Sequence, residues 1–243
     1  MLAFALLLRL PAPRIAPARE LNVGDYAWAF PLAGLVVGSI GGIVLWGVRY
    51  IGADPPSAAL AAIAATMLAT GALHEDGLAD FSDGIGGGRT RARKLEIMRD
   101  SAVGSFGVCA LFVVLGLRWA ALSRLADPAA AVGALIVTHT AARGMLPLML
   151  EYWRPARADG LAAATRSSLL ASAVSILIAA MIAFAYAAPS AALAALLVAA
   201  LSVLVVGSLA SRYLGGYTGD VLGAAEQTAE ALGLAIVAGL LSR

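Results

Sequence analysis

The side chains best suited to chemistry are concentrated in residues 74–84, which read HEDGLADFSDG. If this segment is helical, Asp76, Asp80 and Asp83 stand at positions i, i+4 and i+7 and share one face. Three carboxylates this close repel one another, and a divalent cation removes the repulsion; hard oxygen ligands suit Mg²⁺ or Mn²⁺. We therefore predict that these aspartates bind a metal ion and act in catalysis, with Glu75 as a further ligand. The alternative is a solvated acidic helix end, although the helix dipole favours basic residues there.

Glycines and basic residues follow directly. The run GIGGG at 84–88 allows backbone amides to converge on an anion, and the next positive side chains neutralise phosphate; they are Arg89, Arg91, Arg93 and Lys94. Taken alone, a glycine hinge beside a basic membrane anchor explains the pattern equally well. Beside a metal cluster, phosphate binding is favoured, because metal ions and arginines are the usual equipment of phosphoryl transfer.

Residues 94–101 mix apolar and charged side chains. We expect the apolar ones to face the membrane, and Lys94, Arg99 and Asp100 to face water and contact substrate. The alternative is an amphipathic helix in the membrane interface with no substrate role.

Arg143 lies in the middle of an apolar stretch, close to His139. An arginine inside a membrane is costly and usually faces a cavity or an ionic partner, so we predict a substrate-binding role for Arg143. His139 is as consistent with an interhelical hydrogen bond as with a ligand.

The segment GGYTGD, residues 215–220, introduces the last apolar stretch. We expect its glycines and Thr218 to form a flexible turn and Asp220 to cap the following helix, and we predict that Thr218 and Asp220 contact substrate. Capping does not explain Glu226 and Glu230, which enter the apolar helix four residues apart. These glutamates are expected to complete a polar cavity facing the first acidic cluster.

The elements that position these residues must be membrane helices. Of the 243 residues, 61% are hydrophobic and 13% are charged, and the mean hydropathy is +0.87. Soluble domains carry about 25% charged residues, so the composition argues against a water-soluble enzyme. The single cysteine, Cys109, excludes an internal disulfide and a zinc–thiolate site and is expected to be buried.

We predict an all-α, polytopic membrane protein with about seven transmembrane helices plus a short amino-terminal helix, because a span needs roughly 20 apolar residues. The predicted spans are 29–51, 56–73, 103–122, 128–150, 169–188, 190–210 and 221–241. Residues 1–27 are expected to be a retained amino-terminal segment, since no basic residue precedes their short apolar stretch. The chain, 1–243, is then a single membrane-embedded domain.

Basic residues are distributed unequally between the two faces that these spans create. Twelve of the 17 basic residues fall in segments 1–27, 74–102, 151–167 and 211–220. The other face is expected to carry Arg49, Arg118, Arg124 and Arg243. The positive-inside rule makes the first face cytoplasmic. We therefore predict a multi-pass protein of the cell (inner) membrane, with residues 74–102 as a cytoplasmic active-site segment.

Five segments resemble the cobalamin synthase family, also called adenosylcobinamide-GDP ribazoletransferases. They are RLPAPR near the start, FPLAGLVVG at 30–38, HEDGLADFSDG, RKLEIMRDSAVGSFG, and GGYTGDVLGAAEQTAE at 215–230. They occur in family order over nearly the full chain.

The resemblance implies a Mg²⁺-dependent membrane transferase of the last steps of cobalamin biosynthesis. It would join adenosylcobinamide-GDP to α-ribazole, or to α-ribazole 5′-phosphate, and give adenosylcobalamin, or its 5′-phosphate, and GMP. We expect Lys94 and Arg99 to help the metal neutralise the diphosphate, and Asp83 is the hypothetical acceptor of the attacking hydroxyl's proton. The bilayer is the expected surrounding partner, no nucleic acid is expected, and a homo-oligomer stays open.

Two other functions share features with this sequence. CDP-alcohol phosphotransferases use related chemistry, but their motif places an arginine where this chain has Asp80, and the later spacing does not fit. A transporter would account for the hydropathy, Arg143, and the acids Glu226 and Glu230 at the start of a span. No second copy of the acidic segment occurs in the other half of the chain, which argues against the repeats common in transporters.

Overall fold

The computed structural model describes residues 23–157 and 165–242, and this part of the chain consists of helices joined by short connections. A short 3₁₀ helix, Val23–Ala29, leads into the first long helix. The helices are α1 Phe30–Tyr50, α2 Pro55–Thr70, α3 Leu73–Gly87, α4 Arg91–Ile97, α5 Ser105–Ser123, α6 Pro128–Tyr152, α7 Leu169–Tyr186, α8 Pro189–Leu214 and α9 Gly219–Leu241. The predicted all-α fold is confirmed. The short helix expected near the amino terminus lies outside the described residues.

Six of these helices, among the described residues, are long and apolar enough to cross a membrane. A seventh crossing results if α2 and α3 are counted together as one broken span. Helix α6 occupies the centre and packs against α1, α7, α8 and α9. Of its most apolar 18-residue stretch, 83% is buried. Helices α5 and α7, with 22% buried, turn most of their surface outward. Cys109, which we predicted to be buried, is exposed on α5.

Helices α2 and α3 meet at an angle of 88°. The chain turns at Gly71 and Ala72, both of which have left-handed backbone angles (φ 62° and 55°). Ala72 adopts a conformation that its Cβ disfavours, so surrounding contacts must hold it there. Because of this break, the acidic segment does not continue the preceding span, as a continuous helix would, but forms a separate helix across its end.

Segments predicted to share one face contact one another at one end of the bundle. Arg91 at the start of α4 donates to the backbone oxygens of Leu214 (2.6 Å) and Ala156 (2.7 Å). Backbone hydrogen bonds also join Tyr217 to Arg154 and Ala156. We call this the loop end of the bundle; it consists of the end of α3, α4, residues 153–157 and residues 215–218.

The opposite end carries Arg49 and Arg124. Arg49 donates to the carbonyl oxygen of Ala53, and Arg124 donates to the Ser242 hydroxyl. Arg118, which we assigned to that face, is instead 1% exposed and points into the bundle from α5. This assignment was wrong because Arg118 lies within its helix, one turn before the helix ends, and its side chain finds carboxylate partners inside.

Candidate active site

The acidic segment forms helix α3, as predicted, and its three aspartates differ in environment. Asp76 is exposed, Asp80 is half-buried and Asp83 is buried. Helix α3 packs against α9 on one side and against α5 on another. The aspartates therefore lie along a helix that is wedged between two spans near the loop end.

Helices α3 and α9 approach each other most closely at two glycines, Gly77 and Gly223. A Cβ on Gly77 would lie 2.9 Å from the carbonyl oxygen of Asp220, and one on Gly223 would lie 3.0 Å from that of His74. The backbones are thus in direct contact, which only glycine permits. This crossing brings Asp220 next to Asp76.

Three carboxylates gather around the crossing of α3 and α9: Asp76, Asp80 and Asp220. Asp80 experiences the negative charges of Asp76, Asp220 and Asp83 and the positive charge of Arg157. Asp220 interacts in turn with Asp76 and Arg157. We call these three residues the crossing carboxylates. The structure thereby joins two motifs, HEDGLAD and GGYTGD, that are about 140 residues apart in the sequence.

Asp83 has a defined structural role. Its two carboxylate oxygens accept the backbone N–H groups of Gly104 (2.7 Å) and Gly107 (2.9 Å) at the amino terminus of α5. Helix amino termini favour such a carboxylate, since it satisfies otherwise unpaired amides. The structure therefore connects α3 to α5 through Asp83, and metal binding and catalysis by Asp83 stay predictions.

Thr218, not Asp220, caps helix α9. The Thr218 hydroxyl accepts the N–H of Val221 (3.3 Å) and donates to the Asp220 carboxylate (3.1 Å). Our expectation that Asp220 is the cap was wrong, because both residue types suit a cap and the helix begins two residues earlier than a cap at Asp220 would require. The consequence is that the Asp220 carboxylate is left to face Asp76 and Asp80.

The preceding turn is held in place by Tyr217. Its hydroxyl donates to the carbonyl oxygen of Thr165 at 2.5 Å, and burial raises the pKa of this phenol. The protonated form, which can donate, is therefore retained. The turn that presents Thr218 and Asp220 is rigidly attached to its neighbours.

The basic residues predicted to bind substrate lie at the loop end and differ in exposure. Lys94 is buried, donates to the carbonyl oxygen of Ile85 (2.5 Å) and lies over the Tyr213 ring. Arg99 is exposed and lines a pocket of about 260 Å³ together with Arg157.

Asp100 is exposed and accepts the N–H of Ala102 at 3.1 Å. The pocket at the loop end is thus lined by Arg99, Arg157 and Glu96, and Arg157 also donates to the carbonyl oxygen of Leu95 at 2.9 Å. Lys94 braces α4 against the end of α3.

Arg143 is buried, and its partners are the two glutamates of α9. Its Nη1 lies 2.5 Å from Glu226 Oε1 and 2.6 Å from Glu230 Oε1, and His139 also contacts Glu230. Arg143 thus has the ionic partners that an arginine inside a membrane requires. Its direct partners are protein carboxylates, so contact with substrate stays a prediction.

Glu75, predicted as a metal ligand, belongs to the same buried group. Its Oε1 lies 3.4 Å from Arg118 Nη1 and accepts a hydrogen bond from Gln227 at 3.1 Å. Arg118 also pairs with Glu230 Oε2 at 3.2 Å. We call the buried residues Glu75, Arg118, His139, Arg143, Glu226, Gln227 and Glu230 the ion network. Sequence reasoning missed Arg118 and Gln227 altogether.

A possible metal-binding geometry is found within this network. Potential ligand atoms of His139, Glu226 and Glu230 all lie within 4.8 Å of one another. Arg143 already places a positive charge between the two glutamates, which favours an ion pair over a cation at this position. Over the described residues, neither the predicted ligands Glu75, Asp76, Asp80 and Asp83 nor the crossing carboxylates Asp76, Asp80 and Asp220 form a group this tight.

Comparisons with known proteins agree with the motifs. Residues 1–238 match the family model described as cobalamin-5-phosphate synthase. The chain is 40% identical over 234 residues to an adenosylcobinamide-GDP ribazoletransferase of Mesorhizobium japonicum, which covers 96% of this chain and 90% of that one. No solved structure matches this chain.

Two further relatives carry the same name and match over a shorter length. The protein of Bradyrhizobium diazoefficiens is 51% identical over 155 residues, covering 64% of this chain and 60% of that one. The protein of Azorhizobium caulinodans is 46% identical over 161 residues, covering 64% and 61%. These two alignments span less than two thirds of the relatives' lengths.

Proposed function

The chain belongs to the cobalamin-5-phosphate synthase family, and we propose that it is a membrane-embedded adenosylcobinamide-GDP ribazoletransferase. Its substrates would be adenosylcobinamide-GDP and α-ribazole or α-ribazole 5′-phosphate. Its products would be adenosylcobalamin, or the 5′-phosphate of adenosylcobalamin, and GMP. The observation that supports this proposal best is the meeting of Asp76, Asp80 and Asp220 where α3 crosses α9.

The crossing carboxylates suit a hard divalent cation such as Mg²⁺. They supply only oxygen donors, and Asp76 is exposed while Asp80 and Asp220 are half-buried, so their oxygens are accessible from the loop end. We propose that these three residues hold the ion; of the four ligands predicted from sequence, Asp76 and Asp80 are retained. A bound Mg²⁺ supplies neutralisation of the diphosphate charge. Asp83 then serves to position α3 against α5.

Arg99 and Arg157 are the side chains best placed to receive the anionic part of a substrate. Both line the pocket at the loop end, and Arg157 also acts electrostatically on Asp80 and Asp220. A diphosphate held between these arginines and the crossing carboxylates would lie in the position required for transfer.

The reaction exchanges one bond to phosphorus for another. The ribose hydroxyl oxygen of α-ribazole bonds to the phosphorus nearer cobinamide, and the bond from that phosphorus to the oxygen bridging to GMP breaks. The hydroxyl proton goes to a carboxylate, and GMP leaves with the bridging oxygen. We assign the proton to Asp80 rather than Asp83, because Asp80 is half-buried and can be reached by substrate, whereas Asp83 is buried against the amino terminus of α5.

We place the loop end in the cytoplasm and the protein in the inner membrane. Support comes from the basic residues in the connections at that end; in the described chain they are Arg89, Arg91, Arg93, Lys94, Arg99, Arg154, Arg157, Arg166 and Arg212. Because Arg118 lies inside the bundle and not at the opposite end, the two ends differ more in positive charge than the sequence predicts. The positive-inside rule depends on this difference.

The proposal is tested by measuring GMP release from purified protein in nanodiscs, given adenosylcobinamide-GDP with α-ribazole or with its 5′-phosphate. We expect a cobamide and GMP in equal amounts, dependent on Mg²⁺, and the faster acceptor identifies the physiological one. CDP-diacylglycerol with an alcohol acceptor serves as the control for a lipid phosphotransferase. Folded protein that forms no cobamide under any of these conditions would refute the proposed activity.

A further inference from the structure

Arg118 on α5 bonds to three other helices. Its Nη1 donates to Gln227 Oε1 at 3.0 Å and to Glu75 Oε1 at 3.4 Å. Its Nη2 donates to Thr66 Oγ1 at 3.3 Å and pairs with Glu230 Oε2 at 3.2 Å. The side chain is almost completely buried. One planar guanidinium therefore gathers α2, α3 and α9 around α5, a task that suits the rigid fork of arginine.

Two of these partners are close to the crossing carboxylates along the chain. Glu75 immediately precedes Asp76 in α3, and Gln227 lies one turn beyond Gly223, where α9 touches α3. Gln227 also donates to Glu75 at 3.1 Å, which closes a triangle between α3, α5 and α9. The triangle fixes the separation of α3 and α9 one turn away from the place where Asp76 and Asp80 face Asp220.

The backbone alone does not fix the orientation of α3. Its connection to α2 is a turn through two left-handed residues, Gly71 and Ala72, with an 88° change of direction. The first turn of α3 is therefore aligned by contacts with its neighbours: the backbone contact with α9 at Gly77 and Gly223, and side-chain contacts in which Glu75 is the buried charged member.

We propose that Arg118 is a positioning residue for the metal site: by holding Glu75 and Gln227, it sets the distance from Asp76 and Asp80 on α3 to Asp220 on α9. This inference rests on the proposed function, because it takes the crossing carboxylates as the metal ligands. Arg118 itself touches neither the metal nor the substrate.

The test compares metal binding in Arg118→Lys with that in the parent protein. Lysine keeps the positive charge but is a single point donor that cannot hold four acceptors at once. Mn²⁺ binding is titrated by electron paramagnetic resonance without substrates, and GMP release is measured against Mg²⁺ concentration. We expect the metal concentration for half-saturation to rise about 10–100-fold, the usual effect of removing a residue that orients ligands. Turnover at saturating Mg²⁺ should stay close to that of the parent.

Two further variants separate positioning from folding. Glu75→Gln/Arg118→Gln removes one negative and one positive charge together, keeps the buried balance and removes the ion pair; we expect the same loss of metal affinity. Arg124→Gln, one residue beyond the end of α5, breaks only an exposed bond to Ser242 and should leave metal binding unchanged.

An unchanged half-saturating metal concentration in the folded Arg118 variants would overturn the inference, even if the yield of folded protein fell. A purely structural role lowers the maximal turnover in proportion to the folded fraction and leaves metal affinity alone. If the parent protein bound no Mn²⁺, the metal site of the proposed function would itself be refuted, an outcome distinct from equal binding by parent and variant.

Discussion

Replacing Asp83 by asparagine decides between its two possible roles. The carboxylate accepts two backbone N–H groups, from Gly104 and Gly107, in a buried position. Asparagine offers only one acceptor oxygen, so one amide loses its partner. A hydrogen bond to a charged group contributes about 1.5–3 kcal/mol, and 1 kcal/mol shifts the melting temperature by about 2–4 °C in a chain of this size. We therefore expect Asp83→Asn to melt about 3–12 °C below the parent.

Thermal unfolding in detergent measures this shift, and GMP release per folded molecule measures catalysis. Asp127→Asn is the matched control, because Asp127 also accepts two backbone N–H groups, both at 3.1 Å, but is exposed at the start of α6. Asparagine caps helices about as well as aspartate, so we expect a change within about 0.5 kcal/mol. An Asp83→Asn protein with the parent's melting temperature and turnover reduced more than about 100-fold, as for a lost general base, would refute the capping argument.

Three other substitutions test the rest of the site. Asp80→Ala should abolish Mg²⁺-dependent GMP release with an unchanged melting temperature, and retained turnover would remove Asp80 from the proposed site. Gly223→Val forces α9 away from the α3 backbone and should cost about 1–3 kcal/mol of stability together with metal affinity. At Gly239 an added Cβ meets nothing within 4 Å, so Gly239→Val should do neither. Arg143→Met strands two buried carboxylates and should cost about 3–5 kcal/mol; Arg143→Met/Glu226→Gln should recover part of that loss in the same unfolding assay.

The sequence predicts six of the seven spans well because each is a long apolar run, a signal that depends on neighbouring residues alone. The remaining one, 56–73, is a 16-residue helix that crosses only as part of a broken span with α3. It also predicts that residues 74–84 form a helix. It does not reveal the turn at Gly71 and Ala72, since the apolar run continues through both and Ala72 is an ordinary helix former. The left-handed conformation of Ala72 depends on tertiary contacts that no local pattern contains.

The assignments of Asp83, Thr218 and Asp220 show a second limit. All three are residue types that cap helices, and aspartates also bind metals, so composition alone does not assign the roles. The decision is made by the neighbouring backbone: α5 begins against Asp83, and α9 begins one residue after Thr218. The neighbouring backbone thus distinguishes Asp83, whose oxygens accept backbone amides, from Asp220, which faces other carboxylates.

Arg118 is a different case, because a signal for it exists in the sequence. With a rise of about 1.5 Å per residue, Glu226 and Glu230 lie about 10 and 16 Å from the loop end of α9. On the same scale, Arg143 lies about 14 Å into α6, and Arg118 lies about 20 Å into α5. The four side chains thus occupy a common layer of the bilayer, with Glu230 between the two arginines. A charge in lipid needs a partner at its own depth. Counting residues from one face therefore pairs Arg118 with the acids of α9. Assigning Arg118 to the opposite loop would instead leave Arg143 as the only arginine that can pair with Glu230.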